Sequence, residues 1–419
     1  MIQSHTYELE SNKTNWFMLV LIALIPLQNI YLQKVPSLGG GLNLLNLMMV
    51  LSFISSLRFK ETSFSSEFSI YVNLILFFYI YSIIISILNN IDQSSELMLI
   101  LKNVITPIPI FYIVYKSCTN IEDMKKIFWS MIIPLPYMFY VFKYNLSWMQ
   151  FSSYNDKLRF NGGTFSAAGL GSNEIAAFYV YYTLIILSFA FYEKRRLHKM
   201  FLFIAVSLNF FCIIYGLSRG AYLSIILGIA IYAWLVGRLK LVIIAAIIFS
   251  ILISFDANIL PNAVTERFQS TFVSETERDE SVQLRIILWD IAVNEFLSNP
   301  LTGVGFTSFK NVNEYHMDTH NFYLKVLVET GIIGLGLFSS FLVACFKISF
   351  KLYKEATDPF LKALATGFIP CLFALLLSNL FGDRFSHYQL ISYFFVYLAM
   401  VVRGVEWSST KSEISLMSS

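Results

Sequence analysis

The apolar positions along this chain neither alternate nor stay confined to one helical stripe. They continue for about 20 residues at a time between short clusters of charge. A hydrocarbon layer about 30 Å thick takes about 20 residues of helix to cross. Runs of that kind predict membrane-spanning helices at 16–33, 41–57, 68–88, 97–115, 126–144, 172–192, 200–217, 220–236, 241–255, 321–346, 363–381 and 388–403. The expected fold is therefore an all-α polytopic membrane protein with about 12 transmembrane helices. The chain, 1–419, is expected to form one transmembrane domain, with a large polar loop at 256–320 between the ninth and tenth helices. The first residues carry Glu8 and Glu10 without a basic region, so no removable signal peptide is expected and the first span stays.

Lys and Arg set the orientation. With the N-terminus in the cytoplasm, most of them, including Arg58, Lys116, Lys126, Arg195, Lys240, Lys351 and Arg403, fall on the cytoplasmic side. Both termini are then cytoplasmic. Three polar segments face outward, at 145–171, 256–320 and 382–387, and chemistry is expected there because loops on a rigid scaffold commonly carry sites.

Composition narrows the function. Hydrophobic residues make up 56% of the chain and charged ones 14%, too apolar for an ordinary soluble enzyme. The net charge of +3 is dispersed, with no basic block that would bind nucleic acid. All four cysteines lie in or beside apolar runs, which argues against a disulfide framework, a zinc ribbon or redox chemistry.

Within 256–320, ten acidic residues outnumber four basic ones, so a generally anion-attracting surface is excluded. A phosphate on this side would need particular arginines. Leu284, Leu288 and Ile291 recur at helical spacing between Ser281 and Asn299-Pro300, predicting an amphipathic helix at the membrane surface. Arg285 lies in its first turn, where a cation opposes the helix dipole, so it is either a ligand group or a solvated partner of Glu280 or Asp290. Gly303-Val304-Gly305 lacks a preceding strand and a third glycine, so it is a tight turn rather than a phosphate loop.

His320 and Asn321 stand where this loop meets the tenth span. An imidazole at a helix N-terminus is held neutral and can act as a base, although an interfacial hydrogen-bonding role serves equally for such a residue. His316, Asp318 and His320 raise the thought of a metal, but a third strong ligand at helical spacing is missing and no metal or other cofactor is expected. Lys325 and Glu329, four residues apart, are expected to pair inside the protein. Arg219 lies at the outer junction of two spans. Gly216, Gly220, Ser224 and Gly228 repeat every fourth residue there and would let helices approach closely. Arg159, followed by Gly162 and Gly163, leads through Gly169 and Gly171 to Asn173 and Glu174.

Together these residues resemble the O-antigen ligase and O-antigen polymerase superfamily. The likeness rests on Arg159 with its glycines, Asn173, Ser218-Arg219-Gly220-Ala221 and Leu284-Arg285-Ile286-Ile287-Leu288-Trp289. It continues through Asn299-Pro300-Leu301-Thr302-Gly303-Val304-Gly305 to His320-Asn321-Phe322-Tyr323-Leu324 and Glu329-Thr330-Gly331. The resemblance implies a GT-C-like, metal-independent glycosyltransferase in the bacterial cytoplasmic (inner) membrane. Its donor would be a glycan on undecaprenyl diphosphate, and its active face periplasmic. By the same likeness His320, Arg285 and Arg219 are catalytic, while Arg159, Asn173 and Asn321 bind substrate. His320 takes the acceptor proton, and Arg159, Arg219 and Arg285 hold the diphosphate. The load of 40 Phe and 24 Tyr suits a polymerase of surface polysaccharide, which joins one lipid-linked glycan to another and works with a chain-length regulator. A ligase transferring the glycan to lipid A core is the alternative, and a transporter of polysaccharide or small molecules a lower one, since no internal repeat of two six-span halves is visible.

Overall fold

The computed structural model describes residues 14–35, 43–59, 66–89, 106–146, 163–168, 170–244, 247, 262–269 and 280–417. The described residues are helical throughout their regular structure, with no strand. In chain order the α-helices are α1 (Trp16–Leu24), α2 (Leu44–Ser56), α3 (Ser66–Leu88), α4 (Pro107–Ser117), α5 (Ile121–Ile132), α6 (Leu135–Asn145), α7 (Ser172–Tyr192) and α8 (Arg196–Tyr215). They continue with α9 (Arg219–Leu235), α10 (Asn262–Gln269), α11 (Glu280–Ser298), α12 (Phe309–Val312), α13 (Phe322–Glu355), α14 (Pro359–Asn379) and α15 (Tyr388–Met417).

Among the described residues, six helices are long and apolar enough to cross a membrane: α3, α7, α8, α13, α14 and α15. Two shorter apolar helices, α2 and α9, accompany them. The expected first span is interrupted after Leu24, beside Pro26, and the expected fifth is divided between α5 and α6 at Pro134. The cause in both is the proline ring, which lacks an N–H and crowds the preceding turn. Most of the expected ninth span, 241–255, and the start of the fourth, 97–115, lie outside the described residues.

Helix starts follow their capping chemistry. The side chains of Asn15, Asn43, Asn120 and Asp358 each accept a backbone N–H from the first turn of the helix that follows. At α7 the Glu174 carboxylate reaches back to the Gly171 N–H at 3.0 Å.

The centre of the molecule is an antiparallel seam between α7 and α14. Gly367 lies so close to α7 that an added Cβ would stand 2.9 Å from Ser188 Cβ and 3.1 Å from Ile185 Cα. Ser188 donates to the Ala363 carbonyl at 2.7 Å, and further along Tyr181 and Ser378 share a hydrogen bond. The small-residue pattern brings α9 onto the same seam. A Cβ on Gly228 would meet Leu184 of α7 at 2.4 Å, one on Gly216 would meet Ala176 at 3.0 Å, and Ser224 is buried between them. Close approach of this kind is how helices gain contact where lipid supplies no hydrophobic drive.

α13 is broken at Gly331, whose φ of 65° and ψ of −170° are not helical. The break frees backbone groups, and substitute partners stand beside it. Val304 N donates to Val328 O at 2.9 Å, Gly305 N to Glu329 O at 3.0 Å, Ile332 N to Pro300 O at 3.0 Å, and the Tyr81 hydroxyl to Thr330 O at 3.1 Å. This satisfies the rule that irregular backbone is tolerated in a membrane only where protein completes its hydrogen bonds. Gly303, at φ 70°, is pressed against α13, where a Cβ would come within 2.5 Å of the Glu329 carbonyl carbon. The Asn299–Gly305 and Glu329–Gly331 motifs are thus two halves of one backbone joint.

α11 is the helix expected from sequence, and the Leu284, Leu288 and Ile291 stripe packs on protein. Leu288 and Ala292 are fully buried with Phe309 and with Val328 of α13, flanked by Leu284 and Ile291. The stripe packs on α13 because the joint beside it already holds 299–307 against that helix.

Candidate functional site

The segment 381–387, between α14 and α15, gathers one end of the bundle. A Cβ on Gly220, at the start of α9, would touch Phe381 Cβ at 3.3 Å. Phe322 N, at the start of α13, donates to the Gly382 carbonyl at 3.2 Å. Arg384 forms an ion pair with Glu174 in the first turn of α7. His387 leads into α15, its carbonyl accepting Leu390 N at 2.9 Å. Four helix N-termini therefore converge here, and their dipoles make the region receptive to an anion.

His320 stands at this convergence in an unusual backbone state, φ 52°. A non-glycine residue there is strained, and its neighbours hold it. Trp289 of α11 donates its indole N–H to the Thr319 carbonyl at 2.8 Å. The Thr319 hydroxyl donates to the Asn321 carbonyl at 2.7 Å, and Asn321 N donates back to that hydroxyl at 3.2 Å. Asn321 Oδ1 caps α13 by accepting from Tyr323 N at 3.1 Å and Leu324 N at 3.2 Å. The imidazole pKa lies below its ordinary value because of burial and then because of the Arg285 charge, with Arg384 acting in the same sense; Asp318 and Glu174 oppose them. The dipole argument from sequence gave the right direction, but burial and a guanidinium are the larger causes.

Behind His320 lies a charge cluster. Lys325 is 2.8 Å from Asp383 and 3.2 Å from Asp318, and Asp318 is also 3.1 Å from Lys310. Burial raises the Asp383 carboxyl, but Lys325 and His387 outweigh it and hold it down to about 2. Burial likewise raises Asp318, and Lys325 and Lys310 bring it below the usual carboxylate range. His387 is lowered by burial in spite of Asp383 and Glu174. The expected Lys325–Glu329 pair is not a close one. Lys325 makes its ion pairs with the two aspartates, and Glu329, fully buried, feels the lysine's charge from farther away.

The structure thus brings His320, Arg285 and Asn321 together with Glu174 and Arg384. Arg219 begins α9, next to the glycine that packs on Phe381, and Asn173 precedes Glu174 on α7. Arg159 lies outside the described residues. Asp318 is committed to two lysines, and exposed His316 places its ring nitrogen 3.1 Å from the Lys310 carbonyl. Among the described residues no group of three or more His, Cys, Asp or Glu could hold a metal ion.

Asp383, Arg384 and His387 were not singled out from sequence, although their segment was. The available signal was density: a short outward connection between two apolar spans needs no charge, yet this one carries an acid, an arginine and a histidine.

Residues 204–339, about a third of the chain, match the protein family described as O-antigen ligase. No curated protein matches the chain. The matched stretch contains Arg219, Arg285, His320 and Asn321 in the order that the motifs require. It supports the resemblance read from those motifs: a multi-pass membrane protein that carries, over these residues, a region similar to the O-antigen ligase family.

Proposed function

We propose that this protein is a surface-polysaccharide (O-antigen) polymerase, joining undecaprenyl-diphosphate-linked glycan repeat units at the periplasmic face of the bacterial inner membrane. The observation that carries this reading is the convergence of four helix N-termini around a strained, neutral histidine beside Arg285. A lipid diphosphate needs fixed positive potential at the membrane edge, and a sugar hydroxyl needs a base.

In this reading His320 takes the proton of the acceptor hydroxyl as its oxygen bonds to the anomeric carbon of the donor sugar. The bond from that carbon to the diphosphate oxygen breaks, and its electron pair leaves with undecaprenyl diphosphate. Arg285, Arg219 and Arg159 stabilise the departing charge. A single displacement inverts the anomeric centre, and no metal step is invoked. Asn173 and Asn321 orient the glycan, Asn321 through its amide N–H because its oxygen caps α13. The Glu174–Arg384 and Lys325–Asp383 pairs fix the segment on which the site is assembled. The topology that goes with it has about 12 spans in one domain, cytoplasmic termini, the 256–320 loop outside, and a separate chain-length regulator.

A ligase transferring the finished glycan to lipid A core is the second reading, favoured by the description of the matching family. Lipopolysaccharide banding after deletion separates the two. Loss of the ladder with one capped repeat retained is the expected result; bare core with accumulated lipid-linked polymer would make the protein a ligase and overturn the polymerase reading.

A further inference from the structure

The α7–α14 seam ends, about 30 Å from Glu174 by the length of α7, in a cleft of about 640 Å³. Its lining comes from α1, α5, α7, α8 and α14, so it belongs to the opposite end of the bundle from the candidate active site. Its walls are graded. On α5 the lining passes from Glu122 and Lys125 through Trp129 to Ile133, and on α8 from His198 to Leu202. Polar groups thus stand at the rim and apolar ones deeper. Trp16 and Ile133, 69% and 70% exposed, open the apolar part sideways, where a bilayer would lie.

The rim charges are not equivalent. Lys125 is paired with Glu122, and Lys126 lies 2.7 Å from the Thr14 hydroxyl and 3.5 Å from Asp123. Asp358 spends its carboxylate on capping α14, accepting Phe360 N at 2.8 Å. Glu193 accepts Arg195 N at 2.8 Å and lies 3.8 Å from the His198 ring. The side chains of Lys194 and Arg195, both exposed at the rim, have no ion-pair partner among the described residues. Two adjacent cations without partners above an apolar, laterally open cleft complement one kind of molecule: a phosphodiester head with acyl chains beneath it. A free anion would use only the rim and would leave the apolar walls uncovered.

We propose that this cleft binds an anionic phospholipid of the leaflet opposite the active site, with its phosphate on Lys194 and Arg195 and its acyl chains against Trp16 and Ile133. Basic pockets between helices on the cytoplasmic side are a recurrent means of holding such headgroups. Occupancy would tie α5 to α8, where Trp129 meets His198 edge to face at 5.2 Å and Phe201 at a tilt at 6.1 Å between ring centroids. The proposal is independent of the reaction performed at the other end.

The test uses full-length protein purified in neutral detergent and stripped of lipid. Melting is followed after addition of phosphatidylglycerol, phosphatidylcholine or inorganic phosphate, for wild type, the Lys194→Gln/Arg195→Gln variant, and an Arg238→Gln/Lys240→Gln control at the same end of the bundle. Phosphatidylglycerol should raise the wild-type and control melting temperatures by about 3 °C or more, as a ligand bound to the folded state does. The Lys194/Arg195 variant should lose most of that shift while melting like wild type in phosphatidylcholine. Both substituted side chains are exposed, so folding is not at stake. An equal shift with phosphatidylcholine, a full shift with inorganic phosphate, or an undiminished shift in the variant would each overturn the proposal. Mass spectrometry of protein purified without stripping should show co-purified phosphatidylglycerol, reduced several-fold in the variant; equal retention would also overturn it.

Discussion

Two influences act in the same direction on His320: burial removes water from the imidazolium, and the Arg285 charge repels it. A histidine so placed is unprotonated at neutral pH and able to take a proton. As the base, its neutral form is active, so turnover should rise with pH through a value below the ordinary ~6.5 and then level off. Replacing Arg285 with Gln removes a charge that lowers this pKa, so the acid limb of the residual activity should move to higher pH. A limb that stays in place would separate Arg285 from the histidine. His320→Ala should lower turnover by roughly 10² or more, the usual scale of general-base assistance, while retaining the lipid-linked donor. Normal turnover in a properly inserted variant would return His320 to an interfacial hydrogen-bonding role.

At the scale of elements, the joint at Gly331 makes a sharper demand than any single span. A Cβ there would stand 2.1 Å from the Leu301 carbonyl oxygen, and φ 65° is costly for other residues. Gly331→Ala should therefore abolish accumulation of folded protein, measured by detergent-resistant size-exclusion profiles. Tyr81→Phe removes one partner from the Thr330 carbonyl and should cost about 1 kcal/mol, a modest loss of melting temperature with activity kept. Equal behaviour of the two variants would show that the break is incidental. The sequence reveals the six long spans through unbroken apolar runs, and α11 through the spacing of Leu284, Leu288 and Ile291. It does not reveal that Gly303 and Gly331 serve each other, because backbone pairing between distant segments leaves no periodicity. It does not reveal Lys325's partners either: a fourth-residue spacing points to Glu329, whereas Asp383 is near only after α13 and α14 have packed. The place of His320 at a helix start was legible, and with it the direction in which its imidazole is shifted. Asp383, Arg384 and His387 were hidden inside a segment too short to show a pattern.

For the whole molecule, the proposed orientation puts the active site and the lipid cleft in opposite leaflets. A reporter fused within 256–320 should read as periplasmic and one within 347–362 as cytoplasmic, because the basic residues are concentrated on the latter side. The reversed readings would put His320 on the wrong side for a periplasmic reaction. The joint described above also decides which parts of such a protein can be exchanged. Loop 256–320 has the outline of a removable cassette, yet its last third supplies the hydrogen bonds that α13 gives up at Gly331, and α3 supplies another. A graft cut at residue 320 would bring in a foreign 300–305 segment to serve a native helix break, mismatching donors and acceptors inside the bilayer. Chimaeras between relatives should therefore be cut ahead of α11 and beyond Ile332, so that the loop travels with the broken helix whose backbone it completes.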